Sequence, residues 1–267
     1  MKLYFSIFKT KFINNITYRA AAIAGILTQA FFAFMYIFVY IAFYESGSAN
    51  LDLNLSQVVS YLWLNQAFYF LTYIMIVEKD FIKLIRTGDI AYELCRPIKF
   101  FKKWYASLYG QRIAGVSLRF IPIIILAMIL PNPYKLMLPS SAFSFLVFIL
   151  SLVLSSFLVT AIAYIFHILT FFTLDGKGIL VIFTLIGEIF SGGVVPIALF
   201  PGVLKQIAYI LPFRYICDLP FNIYVGYTSP VEGLELLLCE VLWLIAFVIL
   251  GNILTNKALR RAVVQGG

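Results

Sequence analysis

Gly88–Trp104 reads GDIAYELCRPIKFFKKW, the one long charged stretch between apolar runs that fill most of the 267 residues. Arg86 just ahead of it, and Arg96, Lys99, Lys102 and Lys103 within it, crowd a segment whose only acids are Asp89 and Glu93. Gly88 can end an incoming helix, Asp89 is a good N-cap for a new one, and Pro97 bars that helix from continuing. The spacing predicts a helix over 90–96, about two turns and roughly 10 Å long. A short capped helix between two apolar spans is shaped to be gripped by something soluble. A solvated loop whose lysines only set topology is the alternative that spacing alone leaves open.

The flanks decide what kind of protein carries this island. Apolar residues make up 63% of the chain and charged residues only 12%, against about 25% charged in a soluble domain, so this is an integral membrane protein. Its length holds about six helical spans of roughly 20 residues each, with little left for a soluble domain. The net charge of +8 is distributed as in a membrane protein and does not argue for nucleic acid. The N-terminus is polar until Ala20 and the run after it is too long for a signal-peptide core, so no cleavable signal is expected. Cys95, Cys217 and Cys239 fall in different kinds of segment, none at metal-ligand spacing, so neither a disulfide nor a metal is expected.

Residues 1–19 carry Lys2, Lys9, Lys11 and Arg19 without an acid, while Phe5, Phe8, Phe12 and Ile16 recur at helical spacing. This predicts a basic amphipathic helix in the inner interface. Spans are expected at 20–44, 57–77, 107–130, 142–166, 178–195 and 236–255: an all-α integral membrane protein of six transmembrane helices. Ser151 and Ser155 in the fourth form a small-xxx-small pair suited to close helix packing. Lys and Arg gather in the N-terminal segment, the island, the turn at 174–177 and the tail, while the opposite loops offer only Lys135, Lys205 and Arg214. The positive-inside rule then places both termini and the island in the cytoplasm. The segment 196–227 is apolar and aromatic, yet broken at Pro196, Pro201, Pro212, Pro220 and Gly226. Irregular backbone at membrane depth needs protein around it, which predicts a re-entrant helical hairpin entered from the outer face.

Several chemistries are absent. No GxxxxGK[ST] phosphate loop, HExxH or GxSxG occurs, and the single histidine, His167, has no Cys or His at ligand spacing. An interfacial role suits His167 better than catalysis, and a lipid-modifying enzyme would need converging polar groups that this chain does not supply.

Two motifs at this separation carry a family resemblance. Gly88-Asp89 with Leu94 and Arg96-Pro97, then SGGVVPIALFP over 191–201 followed by ILPFRYICDLPFNIYVG ending at Gly226, resemble the six-span permease subunits of type-2 ATP-binding-cassette exporters. The resemblance implies a non-enzymatic half-transporter in the cytoplasmic membrane. Two permease chains, identical or related, would join two separate cytoplasmic ATPase subunits. ATP and Mg would bind on those partners, with no cofactor in this chain. It assigns ATPase coupling to Gly88, Asp89, Ala91, Leu94, Arg96 and Pro97, and the outer hairpin to 196–227. Arg119 and Glu188 fall outside its pattern. They are the deepest charges in the expected spans, and a lone charge there costs about 2.5–3.5 kcal/mol. Either the two pair across the third and fifth spans, or Glu188 faces a polar export path. The rival class is an ion-gradient-driven secondary transporter or channel. Its signature would be broken spans in both halves, and this sequence breaks visibly in only one. A peptide, a drug or a lipid would all suit the aromatic-rich path.

Overall fold

The computed structural model describes residues 2–17, 19–47, 52–87, 90, 93, 95, 97–172 and 176–261. Among these, every regular element is helical. Four helical stretches are long and apolar enough to cross a membrane: Ala20–Glu45, Phe100–Ile129, Ala142–Phe172 and Pro230–Arg260. The protein is thus a multi-pass membrane protein built on helices α1 (Lys2–Ile16), α2 (Arg19–Glu45), α3 (Leu55–Ala67), α4 (Tyr69–Thr72), α5 (Lys79–Thr87), α6 (Phe100–Ser117), α7 (Phe120–Ile129), α8 (Ala142–Leu169), α9 (Gly176–Phe190), α10 (Gly202–Ile210), α11 (Asp218–Tyr224) and α12 (Pro230–Arg261).

Helix α8 is the axis. Ser141 caps its start by accepting from the Ser144 N–H, and Leu158–Ile168 is buried without interruption. Its serines and threonines keep its surface low enough for α12 to pack along it. The Ser151 hydroxyl donates to Glu240 Oε2 of α12 at 3.1 Å, so the first member of the predicted small pair meets α12, while the buried Ser155 donates to Leu152 O of its own helix. Helix α11 also packs against α8, and α3 packs against α2, α7 and α11; every residue of α11 is buried.

Sequence and structure part in the second expected span. Helix α3 opens with a reciprocal capping box between Asn54 and Gln57 and is buried over its last ten residues, but it ends at Ala67. One further turn, α4, follows; Tyr73 then takes an extended conformation, and the chain stays non-helical until α5 begins at Lys79. The third expected span is also divided. Helix α6 stops at Ser117 and α7 restarts after Arg119, because Pro122 removes a donor and crowds the carbonyl four residues back. Both α3–α4 and α9 are shorter than the roughly 20 residues that a straight helical crossing requires.

In the 196–227 segment each proline sits at a helix start. Pro196 precedes the 3-10 turn Ile197–Leu199, Pro201 precedes α10, Pro212 opens the 3-10 turn Pro212–Tyr215, and Pro220 lies in the first turn of α11. Those are the positions where the missing N–H has no helical acceptor to lose. Gly226 (φ +76°) follows the last turn of α11, whose carbonyls are closed by Gly226 N to Ile223 O and Tyr227 N to Asn222 O, a Schellman arrangement. The result is a surface helix, α10, followed by a buried one, α11.

Candidate functional site

Named side chains hold the chain at three places where the backbone leaves regular helix. The first is the non-helical run 73–78. Its carbonyls cannot bond within a helix, and Arg112 takes two of them: Nη1 donates to Tyr73 O at 2.5 Å and Nη2 to Ile74 O at 2.9 Å. Arg112 is 0% exposed. Glu188 of α9 completes the clamp, its Oε1 accepting from the Ile74 N–H at 3.0 Å. Helix α9 reaches this close because residue 187 is glycine; a Cβ there would lie 2.2 Å from Ile74 Cδ1. Side chains of opposite charge type thus grip the acceptors and the donor of one short non-helical segment, which lets it persist in an apolar surrounding.

The second place is the turn after α9. Ser191-Gly192-Gly193 reverses the chain with Gly192 at φ +80°, a conformation that costs other residues strain. Tyr61 of α3 donates its hydroxyl to Gly192 O at 2.9 Å and Asn65 donates to Gly193 O at 2.5 Å. Asp218, 1% exposed, ties the turn to the helices beyond it: its N–H donates to Ser191 O at 3.0 Å and its Oδ1 accepts from the Ile197 N–H at 3.1 Å.

The third place is the other end of the non-helical run. The N–H of Glu78 donates to His167 Nε2 at 3.0 Å, which leaves the histidine proton on Nδ1, directed at Ala163 O 2.7 Å away. The Glu78 carboxylate accepts from Lys11 Nζ of α1 at 3.0 Å and from the Ser107 hydroxyl of α6 at 3.0 Å. Lys11 also binds Asp80 at 2.6 Å. Burial works against the Lys11 charge, but the Asp80 and Glu78 carboxylates outweigh it and raise its pKa. The Lys11 hydrogen bond in turn holds Asp80 below the ordinary carboxylate range. Beside this knot lies a second apolar core in which Phe81, Ile90, Phe100, Trp104, Tyr164, Ile168 and Ala258 meet. Phe81 packs edge-on against Trp104 at 4.9 Å and against His167 at 5.5 Å. Helix α1, α5, the start of α6 and the last turns of α12 therefore share one end of the bundle.

The predicted site residues distribute unevenly over this frame. Gly88, Asp89, Ala91, Leu94 and Arg96 lie outside the described residues. Of their neighbours, Ile90 is buried in the aromatic core, Glu93 pairs with Lys103, and Pro97 is exposed. Pro196, Pro201, Pro212, Pro220 and Gly226 shape the far-end helices as described above. Glu188 and Arg119 do not pair. Glu188 serves the Ile74 N–H, whereas Arg119 stacks over Phe70 at 4.1 Å and donates to Ala21 O at 3.3 Å. Arg119 sits where α6 and α7 part, on the α2 flank, and the non-helical run occupies the place beside Glu188 that a straight second span would have left to it. His167, expected at an interface, is wholly buried. The residue sequence reading passed over is Arg112: it is visible as an arginine near the start of a span, but its partners are carbonyls of a segment that reads as helix.

A family model described as an ABC-2 family transporter protein matches residues 30–266, most of the chain. No curated protein matches it.

Proposed function

The chain belongs to the ABC-2 family of transporter proteins, and on that premise we propose that this membrane transport permease is the membrane-spanning half of an ATP-driven exporter. In this reading it crosses the cytoplasmic membrane six times, with α3–α5 and α9 making the second and fifth crossings and both termini in the cytoplasm. It carries no catalysis itself; separate ATPase subunits supply it with ATP and Mg, and a second permease chain completes the path. Residues 88–97 are the coupling segment, Gly88, Asp89, Ala91, Leu94, Arg96 and Pro97 meeting the ATPase, and 196–227 is the hairpin that caps the outer mouth.

One observation carries the coupling reading. The polar island is welded to the spans: Phe81, Ile90, Phe100 and Trp104 share a core with Tyr164 and Ile168 of α8 and Ala258 of α12, and Glu78 binds α1, α6 and α8 at once. A push on such a segment moves helices, whereas a floppy loop would absorb it. The exposed apolar face of α9 (Val181, Ile182, Leu185, Ile189) suits a second permease chain or lipid.

The test is co-purification and reconstitution with candidate ATPases. An ATPase retained by the permease, with hydrolysis that Asp89→Lys or Leu94→Trp uncouples from export while the chain stays inserted, supports the proposal. Transport driven by an ion gradient with the chain alone would replace it with the secondary-transporter reading.

A further inference from the structure

We propose that the flank of the bundle around Arg119 is a binding site for an anionic amphiphile, a molecule with an oxyanion head (carboxylate or phosphate) and a hydrocarbon tail. The site stands on this chain alone and does not depend on the exporter reading.

Arg119 divides two pockets. One, of about 350 Å³, lies between α2, α3 and α4 and is lined by Gln29, Phe32, Tyr36, Gln66 and Tyr69; that is the size of a ligand pocket. The other, of about 240 Å³, lies towards α1 and α6, with Asn15 and Gln111 in its wall. The guanidinium has five N–H donors, yet one hydrogen bond, the 3.3 Å contact to Ala21 O, holds it to described residues. Its remaining support is the Phe70 face, which orients a cation without consuming its donors. Gly25 leaves room for it: a Cβ there would lie 2.4 Å from Arg119 Cζ, so a larger residue would push the guanidinium off α2.

The second observation is independent. Gln29 is 5% exposed, and both its Oε1 and Nε2 lack a partner among the described residues, although it lines the larger pocket. Gln111 Oε1, in the smaller pocket, is also buried without one. Buried amides are ordinarily hydrogen-bonded, so a donor–acceptor pair left open beside an under-used guanidinium describes a missing polar head. The wall beyond is aromatic, and the helix face at the mouth exposes Leu27, Phe31 and Phe32. The tail therefore lies along Phe32, Tyr36 and Tyr69 and leaves toward the hydrocarbon, with the oxyanion on Arg119 and Gln29. A charge-assisted contact of this kind also answers how an arginine on this flank is stabilised with no carboxylate beside it among the described residues.

The probe is a diazirine-bearing oleate with the full chain in phosphatidylcholine nanodiscs, the adducts mapped by peptide mass spectrometry. Adducts should fall on α2 and on α3–α4 around Phe32, Tyr36 and Tyr69, and unlabelled oleate or lysophosphatidate should compete where oleyl alcohol does not. Arg119→Gln should weaken labelling by about tenfold or more, the loss of one charge-assisted hydrogen bond, and Arg119→Lys should restore part of it. Gly25→Ala keeps the charge but displaces the guanidinium and should weaken labelling too. Gln29→Leu removes the open amide, so it should weaken labelling while leaving the melting temperature unchanged or raised, which separates a binding defect from misfolding. Equal competition by oleyl alcohol, unaltered labelling of Arg119→Gln, or adducts spread over the other apolar faces would each overturn the site. The source of the ligand is then read from a permease–ATPase complex: probe released on adding ATP is cargo, and probe retained is a resident bilayer lipid.

Discussion

Two breaks in the helical frame are repaired by different chemistry. The turn at 191–193 is a tight reversal whose stray carbonyls point at neighbouring α3, and neutral groups, the Tyr61 hydroxyl and the Asn65 amide, suffice. The run 73–78 is longer and non-helical, and two of its carbonyls and one N–H are taken by side chains of other helices. Ionisable groups, Arg112 and Glu188, hold it. The lesson concerns how much backbone is opened. A turn leaves orphans one at a time, each answered by a net contribution of about 1 kcal/mol, whereas a longer non-helical run concentrates them and recruits ionisable groups whose removal leaves several groups unpaired together.

That contrast can be broken most forcefully at Arg112. Arg112→Met strips two buried carbonyls of their donors and leaves Glu188 without its nearby cation, so a loss of about 3–5 kcal/mol is expected, measured by thermal unfolding in nanodiscs. A variant that melts like the parent would show that the run does not need its charges. Next is Gly192→Ala, which forces a positive φ on a side chain and sets a Cβ 2.5 Å from the Tyr61 hydroxyl; about 1–3 kcal/mol is expected, with the strain confined to the far end. Asn65→Ala should cost about 1 kcal/mol, and an impermeant thiol reagent should then label a cysteine placed at Tyr209 faster than in the parent. If Asn65→Ala matched Arg112→Met, the distinction between neutral and charged repair would be lost.

Glu188→Gln sharpens the comparison, because an amide oxygen still accepts from Ile74. About 1 kcal/mol or less is expected, and the double-mutant cycle should show coupling to Arg112 and none to Arg119. Coupling to Arg119 instead would return the two deepest charges to the arrangement that sequence suggests.

The smallest effect belongs to the exposed side of the charged knot. Asp80 is held below the carboxylate range by Lys11, so its contribution is present above the unfolded carboxylate pKa and lost as pH falls through its lowered value. Lys11 is raised, so its contribution is present below the unfolded lysine pKa and lost as pH climbs through the raised one. Docking of α1 on α5 should therefore stay flat between about pH 5 and 9 and loosen only outside that window. Hydrogen exchange of α1 that changes steeply near neutrality would contradict this.

What was legible in the sequence follows from where the information resides. Helices α2, α8 and α12 are long uniform apolar runs, and their own residues specify them. The breaks in 196–227 were legible because proline acts on its own backbone; Pro122 acts in the same way, yet 107–130 was expected as one span. The break after Ala67 was not, since no proline or glycine lies in 68–78. The residues that stabilise it, Arg112 and Glu188, are 38 and 114 positions from Ile74. The same distance hid the true company of Glu188 and Arg119. Depth along a span can be counted from sequence, but the direction in which a helix faces its neighbours cannot.

Helix α12 has 32 residues, about 48 Å against a hydrocarbon thickness of roughly 30 Å, so it overhangs the bilayer. It is pinned to α8 at two points, Ser151 on Glu240 and the Tyr164 hydroxyl with the Thr255 hydroxyl at 2.7 Å, 15 residues or about 22 Å apart. A beam held at two points cannot swing about either one. A push delivered at Ala258, beyond the second point, therefore carries α8 and α12 together as one body.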